Sequence, residues 1–114
     1  MNQGIRTFIY PVKDIAQAKT LYSKLLGVEP YMDEAYYVGF RIGDQEIGLD
    51  PFGYNKGMTG PVGYCQVDDI NNSLQSLLDA GAKVHEEIKD VGGGKLTASV
   101  KDPDGNIIAL MQNP

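Results

Sequence analysis

The chain has 114 residues, 42% of them hydrophobic, with one cysteine, a net charge of −5 and a pI near 4.6. That length fits one domain, which buries somewhat under about 70% of its unfolded surface on folding. The acidic balance, with ten basic residues scattered along the chain, speaks against nucleic acid and against anionic membrane surfaces, because both need clustered Lys and Arg. Cys65 alone permits no intrachain disulfide and suits a reducing cytosol. No basic segment followed by an apolar run opens the chain, and no stretch approaches the roughly 20 apolar residues of a membrane span. The expectation is a cytoplasmic protein with no membrane partner.

The segment Ile5 to Val12, rich in β-branched and aromatic residues, predicts a strand, and Pro11 marks its end or a sheet edge. Asp14 is a candidate N-cap. Ile15, Ala18, Leu21, Tyr22, Leu25 and Leu26 recur at three- and four-residue spacing, which predicts an amphipathic helix closed by Gly27. A short strand is expected at Val28 to Tyr31 and a clearer one at Ala35 to Ile42. The latter turns at Gly43-Asp44 into a strand over Glu46 to Asp50, forming a hairpin. Pro51 to Pro61 is rich in glycine and proline and has no periodicity, which predicts a flexible linker.

After the linker the order repeats. Val62 to Val67 predicts a strand, Asp69 caps a helix carrying Ile70, Leu74, Leu77 and Leu78, and Ala80-Gly81 ends it. Lys83 to Ile88 reads as a strand and Gly92-Gly93-Gly94 as a flexible turn. Leu96 to Val100 and Asn106 to Met111 form a hairpin across Asp102-Pro103-Asp104-Gly105. Val12-Lys13-Asp14-Ile15 aligns with Val67-Asp68-Asp69-Ile70, and Ile47-Gly48-Leu49 with Ile108-Ala109-Leu110. Two long units indicate a duplicated βαβββ module rather than a solenoid of short repeats. The expected fold is α+β, a single domain over residues 1–114, with module one at about 4–50, the linker at 51–61 and module two at 62–113. Each module has one helix to cover one face of its sheet. The second module, a dimer partner or a ligand must cover the other.

The segments V-x-D-I-x-x-A-x-x-L-Y-x-x-L-L-G at Val12 to Gly27 and K-D-P-D-G-N-I-I-A-L at Lys101 to Leu110 resemble the opening and closing signatures of the glyoxalase / bleomycin-resistance / dioxygenase (vicinal oxygen chelate) superfamily. The resemblance covers essentially the whole chain. It implies curved mixed sheets around a concave cleft, helices on the outer face, and a homodimer. Members include metal-dependent lyases, isomerases and dioxygenases, and metal-free proteins that sequester antibiotics. In the metal-dependent members one ligand sits on the first strand of each module and one on the last. Those positions fall here on Thr7 and Val62 and on Gly48 and Ala109, where the family would place His, Gln or Glu. Divalent metals need nitrogen, carboxylate or thiolate donors. Valine, glycine and alanine have none, and a threonine hydroxyl is a poor ligand. The expectation is no metal and no cofactor.

Strand alternation puts Val62, Tyr64 and Gln66 on one face, which the resemblance makes the concave one, and Gly63, Cys65 and Val67 on the other. Cys65 then reads as a small buried hydrophobe beneath the helix. Thr7 and Ile9 are the module-one counterparts. Asp50 shares a face with Gly48, and Met111 with Ala109. Small residues at Gly48 and Ala109 describe a pocket rather than a coordination sphere. Tyr37 and Arg41 can reach a ligand, and Arg41 suits a carboxylate or phosphate. Tyr54, in the linker, is placed for a lid or dimer contact. His85, the one histidine, reads as an exposed strand residue rather than a base or metal ligand. Gly92-Gly93-Gly94-Lys95 lacks the ending of a phosphate loop.

The function expected is metal-free binding of a largely apolar or aromatic small molecule by a homodimer, as in the antibiotic-sequestering members. One alternative is a lyase, isomerase or dioxygenase using non-standard ligands such as Asp50 or His85. The other is a dimeric regulatory module without a ligand. No catalytic residue is identified.

Overall fold

The computed structural model describes residues 2–114. Its elements are β1 (Asn2–Pro11), α1 (Ile15–Leu26), β2 (Met32–Glu34), β3 (Tyr37–Ile42), β4 (Gln45–Asp50), a 3-10 turn (Tyr54–Lys56), β5 (Val62–Val67), α2 (Ile70–Asp79), β6 (Lys83–Asp90), β7 (Leu96–Lys101) and β8 (Ile107–Gln112). The order βαβββ occurs twice, and the fold is α+β. The chain divides into two compact units, Arg6–Val62 and residues up to Ile5 with Gly63–Pro114. Strand β1 therefore contributes to both, and its first residues go with the second module rather than the first.

In the first unit the strands run β2-β3-β4-β1. Strand β1 is parallel to β4, with Phe8 opposite Ile47 and Tyr10 opposite Leu49. Strand β3 is antiparallel to β4, with Val38 opposite Leu49 and Phe40 opposite Ile47. Alternation sends Val38, Phe40 and Leu49 to one face, where they are buried with Ala18 of α1 and with Tyr10, Ile15, Tyr22 and Leu26 around them. Helix α1 starts at Asp14, whose carboxylate accepts from the Gln17 amide at 3.0 Å. It ends at Gly27, held at φ 72°, whose amide donates to the Ser23 carbonyl. The buried stripe of α1 is narrower than its periodicity suggested. Leu21 and Leu25 are 61% and 73% exposed, because Ile15, Ala18, Tyr22 and Leu26 alone meet the sheet.

In the second unit the order is β5-β8-β7-β6, with β5 parallel to β8 and β7 antiparallel to it. Val67, Ala98, Val100 and Leu110 pack against Ile70 and Leu74 of α2; Cys65 packs beside them but is only partly buried, where burial was expected, and its thiol donates to Asn2 Oδ1 at 3.1 Å. Asp69 caps α2 by accepting from the Asn72 amide at 3.1 Å, and the Gln112 side-chain oxygen accepts from the Ile70 amide at 2.7 Å. The D-P-D-G-N turn has a definite cause. Asp102 accepts from the Asp104 and Asn106 amides at 2.9 and 2.8 Å and from the Asn106 side-chain amide at 3.0 Å. Those bonds, the Asn106 side chain first, hold its carboxyl below the usual range.

Three local expectations are corrected. Val28 to Tyr31 is not a strand, since β2 begins at Met32. Pro30 has no amide to donate, so pairing starts where the Tyr31 amide reaches the Gly39 carbonyl at 2.9 Å. Ala35 and Tyr36 form the turn before β3 rather than its start. The 51–61 segment is not featureless. Asp50 accepts from the Phe52 amide and from Lys56 Nζ, both at 2.8 Å, which winds the 3-10 turn, and Met58 is buried beyond it.

Candidate functional site

In the first unit the sheet face turned away from α1 carries the chemistry. The register places Thr7 of β1 opposite Glu46 of β4 and Glu46 opposite Arg41 of β3; Ile9, Gly48 and Gly39 form the next row. Parity therefore brings Thr7, Ile9, Tyr37, Arg41, Gly48 and Asp50 to one face, together with Glu46.

Gly39 and Gly48 are paired residues, and each seats a tyrosine. A Cβ on Gly39 would lie 2.8 Å from Cε1 of Tyr31 and 3.0 Å from Cε2 of Tyr37. A Cβ on Gly48 would lie 2.6 Å from Cζ of Tyr37 and closer still to its hydroxyl. The open space expected above Gly48 is thus filled by Tyr37. That hydroxyl donates to Glu46 Oε2 at 2.8 Å. The Arg41 guanidinium lies over the Tyr31 ring, 3.9 Å from its centroid, and Arg41 Nε stands 3.9 Å from Glu46 Oε1. Glu46 escaped the sequence reading, although its place two residues before Gly48 fixes it to the same face. Tyr31 escaped because it lies before its strand, where alternation gives no information.

The cluster alters Tyr31. Burial, then its hydrogen bond to Glu46 and the negative charge there, push its phenol up to about 12 from 10.0, against the opposing pull of Arg41. A pKa raised on folding contributes stability that is fully present below pH 10 and is lost as pH rises through about 12. Alkaline titration followed by phenolate absorbance is expected to show Tyr31 among the last of the seven tyrosines to ionise. The late phase should vanish in Tyr31→Phe. A Tyr31→Phe curve that keeps the late phase and loses one tyrosine from the main phase instead would refute the contact with Glu46.

Two candidates have partners of their own. The carboxylate of Asp50 is engaged by the Phe52 amide and Lys56 and anchors the following loop. Tyr54 is exposed, and its ring pairs with Lys13, whose Nζ is 5.5 Å from the ring centroid.

In the second unit the face opposite α2 holds Tyr64 opposite Ala109 and Gln66 opposite Met111. Next to them, Ser99 is opposite Ala109 and Thr97 opposite Met111. Gln66, Thr97, Ser99, Ala109 and Met111 are all buried, as is Val62 at the start of β5. His85 is half-buried rather than exposed, with Nδ1 3.0 Å from Ser99 Oγ. Register shifts between Val84 and Glu86 and between Glu86 and Lys89 break the alternation of β6, which is why parity could not place this histidine. Thr97 and Ser99 were also missed. Their signal was the alternation of polar residues with Leu96, Ala98 and Val100.

At the positions where the resemblance implies metal ligands, Thr7 offers one hydroxyl, and Gly48, Val62 and Ala109 offer no side-chain donor. Over Gly48 the space belongs to Tyr37. Among the described residues no group of three or more His, Cys, Asp and Glu is arranged to hold a metal ion. These residues do not fit a divalent metal at those positions.

A family model described as Glyoxalase/Bleomycin resistance protein/Dioxygenase superfamily matches residues 4–110. Among solved structures, a member of that superfamily from Vibrio splendidus 12B01 aligns with a TM-score of 0.74 at 15% identity, covering 100% of both chains. The methylmalonyl-CoA epimerase of Mycobacterium tuberculosis aligns at 0.72 and 16%, covering 99% of this chain and 89% of that one. The Mn(II)-bound glyoxalase of Novosphingobium aromaticivorans aligns at 0.73 and 21%, covering 98% of this chain but only 40% of that one. At these identities the likeness is one of fold. No curated protein matches the sequence.

Proposed function

The chain belongs to the Glyoxalase/Bleomycin resistance protein/Dioxygenase superfamily, and from that footing we propose that it binds an organic small molecule without a metal, as a cytoplasmic homodimer. The observation that carries the reading is at Gly48. Where the family would place a metal ligand this chain has no side chain, and the vacated space holds a tyrosine hydroxyl bound to Glu46. The same face offers aromatic rings, a guanidinium and hydroxyls, which is the mixture that organic ligands use. Exposed Leu21 and Leu25, one turn apart on α1, supply apolar surface that a second copy would cover. No described helix is long and apolar enough to cross a membrane.

The test is thermal unfolding of chelator-stripped protein, alone and with Zn, Ni, Mn, Fe(II) or Mg salts, followed by a panel of aromatic and antibiotic-like compounds. A ligand present at 100 times its Kd adds about 2.7 kcal/mol, which raises Tm by roughly 10 °C in a domain of this size. The expected result is no rise with any ion and a rise with one class of organic compound. An ion-selective rise of that size would overturn the metal-free reading in favour of a lyase, isomerase or dioxygenase with other ligands. Sedimentation of the same protein as a monomer at micromolar concentration would remove the homodimer.

A further inference from the structure

We propose that Arg41 is a receptor for an oxyanion, a carboxylate or phosphate carried by the small molecule this protein binds. The inference deepens the binding reading and rests on it. An arginine at a protein surface is ordinarily a mobile, fully hydrated charge. Arg41 is not. Its guanidinium is laid on the Tyr31 ring at 3.9 Å, the stacking that a planar cation prefers. Tyr31 in turn rests over Gly39, where any Cβ would meet the ring at 2.8 Å. The missing side chain on β3 is therefore what lets the aromatic floor form.

Glu46 fixes the other edge without consuming the donors. Its side chain is only 15% exposed, and its carboxylate already accepts from the Tyr37 hydroxyl at 2.8 Å. Arg41 Nε stands 3.9 Å from it, beyond hydrogen-bond reach. The pair attract, and the guanidinium fork, 63% exposed as a side chain, touches the Tyr31 hydroxyl as well as its ring and presents its remaining N–H groups to a second acceptor. A planar fork held in place is the geometry that takes a carboxylate or phosphate through two parallel hydrogen bonds.

The rest of the molecule supplies the contrast. Its net charge is −5, so no general field gathers anions, and any anion site must be locally built. The sequence holds one other arginine, Arg6. It lies 3.8 Å from Asp44 with both side chains exposed. Both arginines thus have a carboxylate at nearly the same distance, and the aromatic floor distinguishes Arg41.

The experiment follows the Nε–H signals of the two arginines by nitrogen-edited NMR of the intact protein, assigned through Arg41→Gln. The probes are sodium benzoate and inorganic phosphate, with benzamide as the neutral analogue and ionic strength held constant with sodium chloride. The Arg41 signal is expected to move saturably with benzoate, phosphate or both, while Arg6 and the benzamide arm stay still. Whichever anion acts names the headgroup. Tyr31→Ala, which removes the floor, should weaken the apparent Kd about two- to fivefold. No saturable movement of Arg41, or equal drift of both arginines, overturns the receptor. If neutral aromatic compounds still raise Tm while Arg41 stays silent, small-molecule binding survives and only the anion receptor falls.

Discussion

Phe40→Ala is expected to cost about 3–5 kcal/mol of stability, seen as a fall in Tm of roughly 12–20 °C for a chain of this length. Phe40 is completely buried, the largest of the fully buried side chains, and it packs with Val38, Leu49 and Ala18. Removing a ring there leaves a cavity that the paired strands β3 and β4 cannot close. Ile42→Ala, two residues along the same strand at a partly exposed position, should cost about 1 kcal/mol or less. The comparison reaches beyond stability. Alternation along β3 is what sends Phe40 to the helix side and Arg41 to the other. A small loss at Phe40 would mean that β3 faces the opposite way, and Arg41, Tyr37 and Gly39 would leave the candidate site together.

Much of this was legible in the sequence because it depends on local rules. Asp14, Gly27 and Asp69 announce helix ends through chemistry confined to one turn, and the structure uses each as expected. The duplicated V-x-D-I segment gave the element order. Alternation paired Thr7 with Ile9 and Gly48 with Asp50, and the strand registers set all four on one face with Tyr37 and Arg41, which the sequence had named only as able to reach a ligand. What alternation cannot reveal is whose side chain fills the space above a small residue. Gly48 read as a gap, but the occupant comes from the neighbouring strand. It is equally blind where regular pairing stops. Tyr31 precedes its strand, and His85 lies in a strand whose register shifts twice. Asp50 shares the right face and is still taken by the loop that follows, through contacts with Phe52 and Lys56.

Gly48→Ala is expected to destabilise the protein by about 1–3 kcal/mol, a cost of overpacking. The backbone contributes nothing to that figure, because Gly48 is not among the glycines with positive φ. Relieved of the clash, an alanine in this strand would stabilise by roughly 0.4–1 kcal/mol through the unfolded chain. The penalty therefore measures how firmly Tyr37 is seated. Its ring would lie 2.6–2.7 Å from the new methyl group, and its hydroxyl is tied to Glu46. A double-mutant cycle by denaturant unfolding isolates the effect. In a Tyr37→Ala background Gly48→Ala should become neutral or stabilising, with a coupling of about 1–3 kcal/mol. If Gly48→Ala is instead neutral in the parent, the Tyr37 ring swings aside at little cost. The space above Gly48 would then be a pocket that a ligand can open, and the tyrosine its gate rather than its filling.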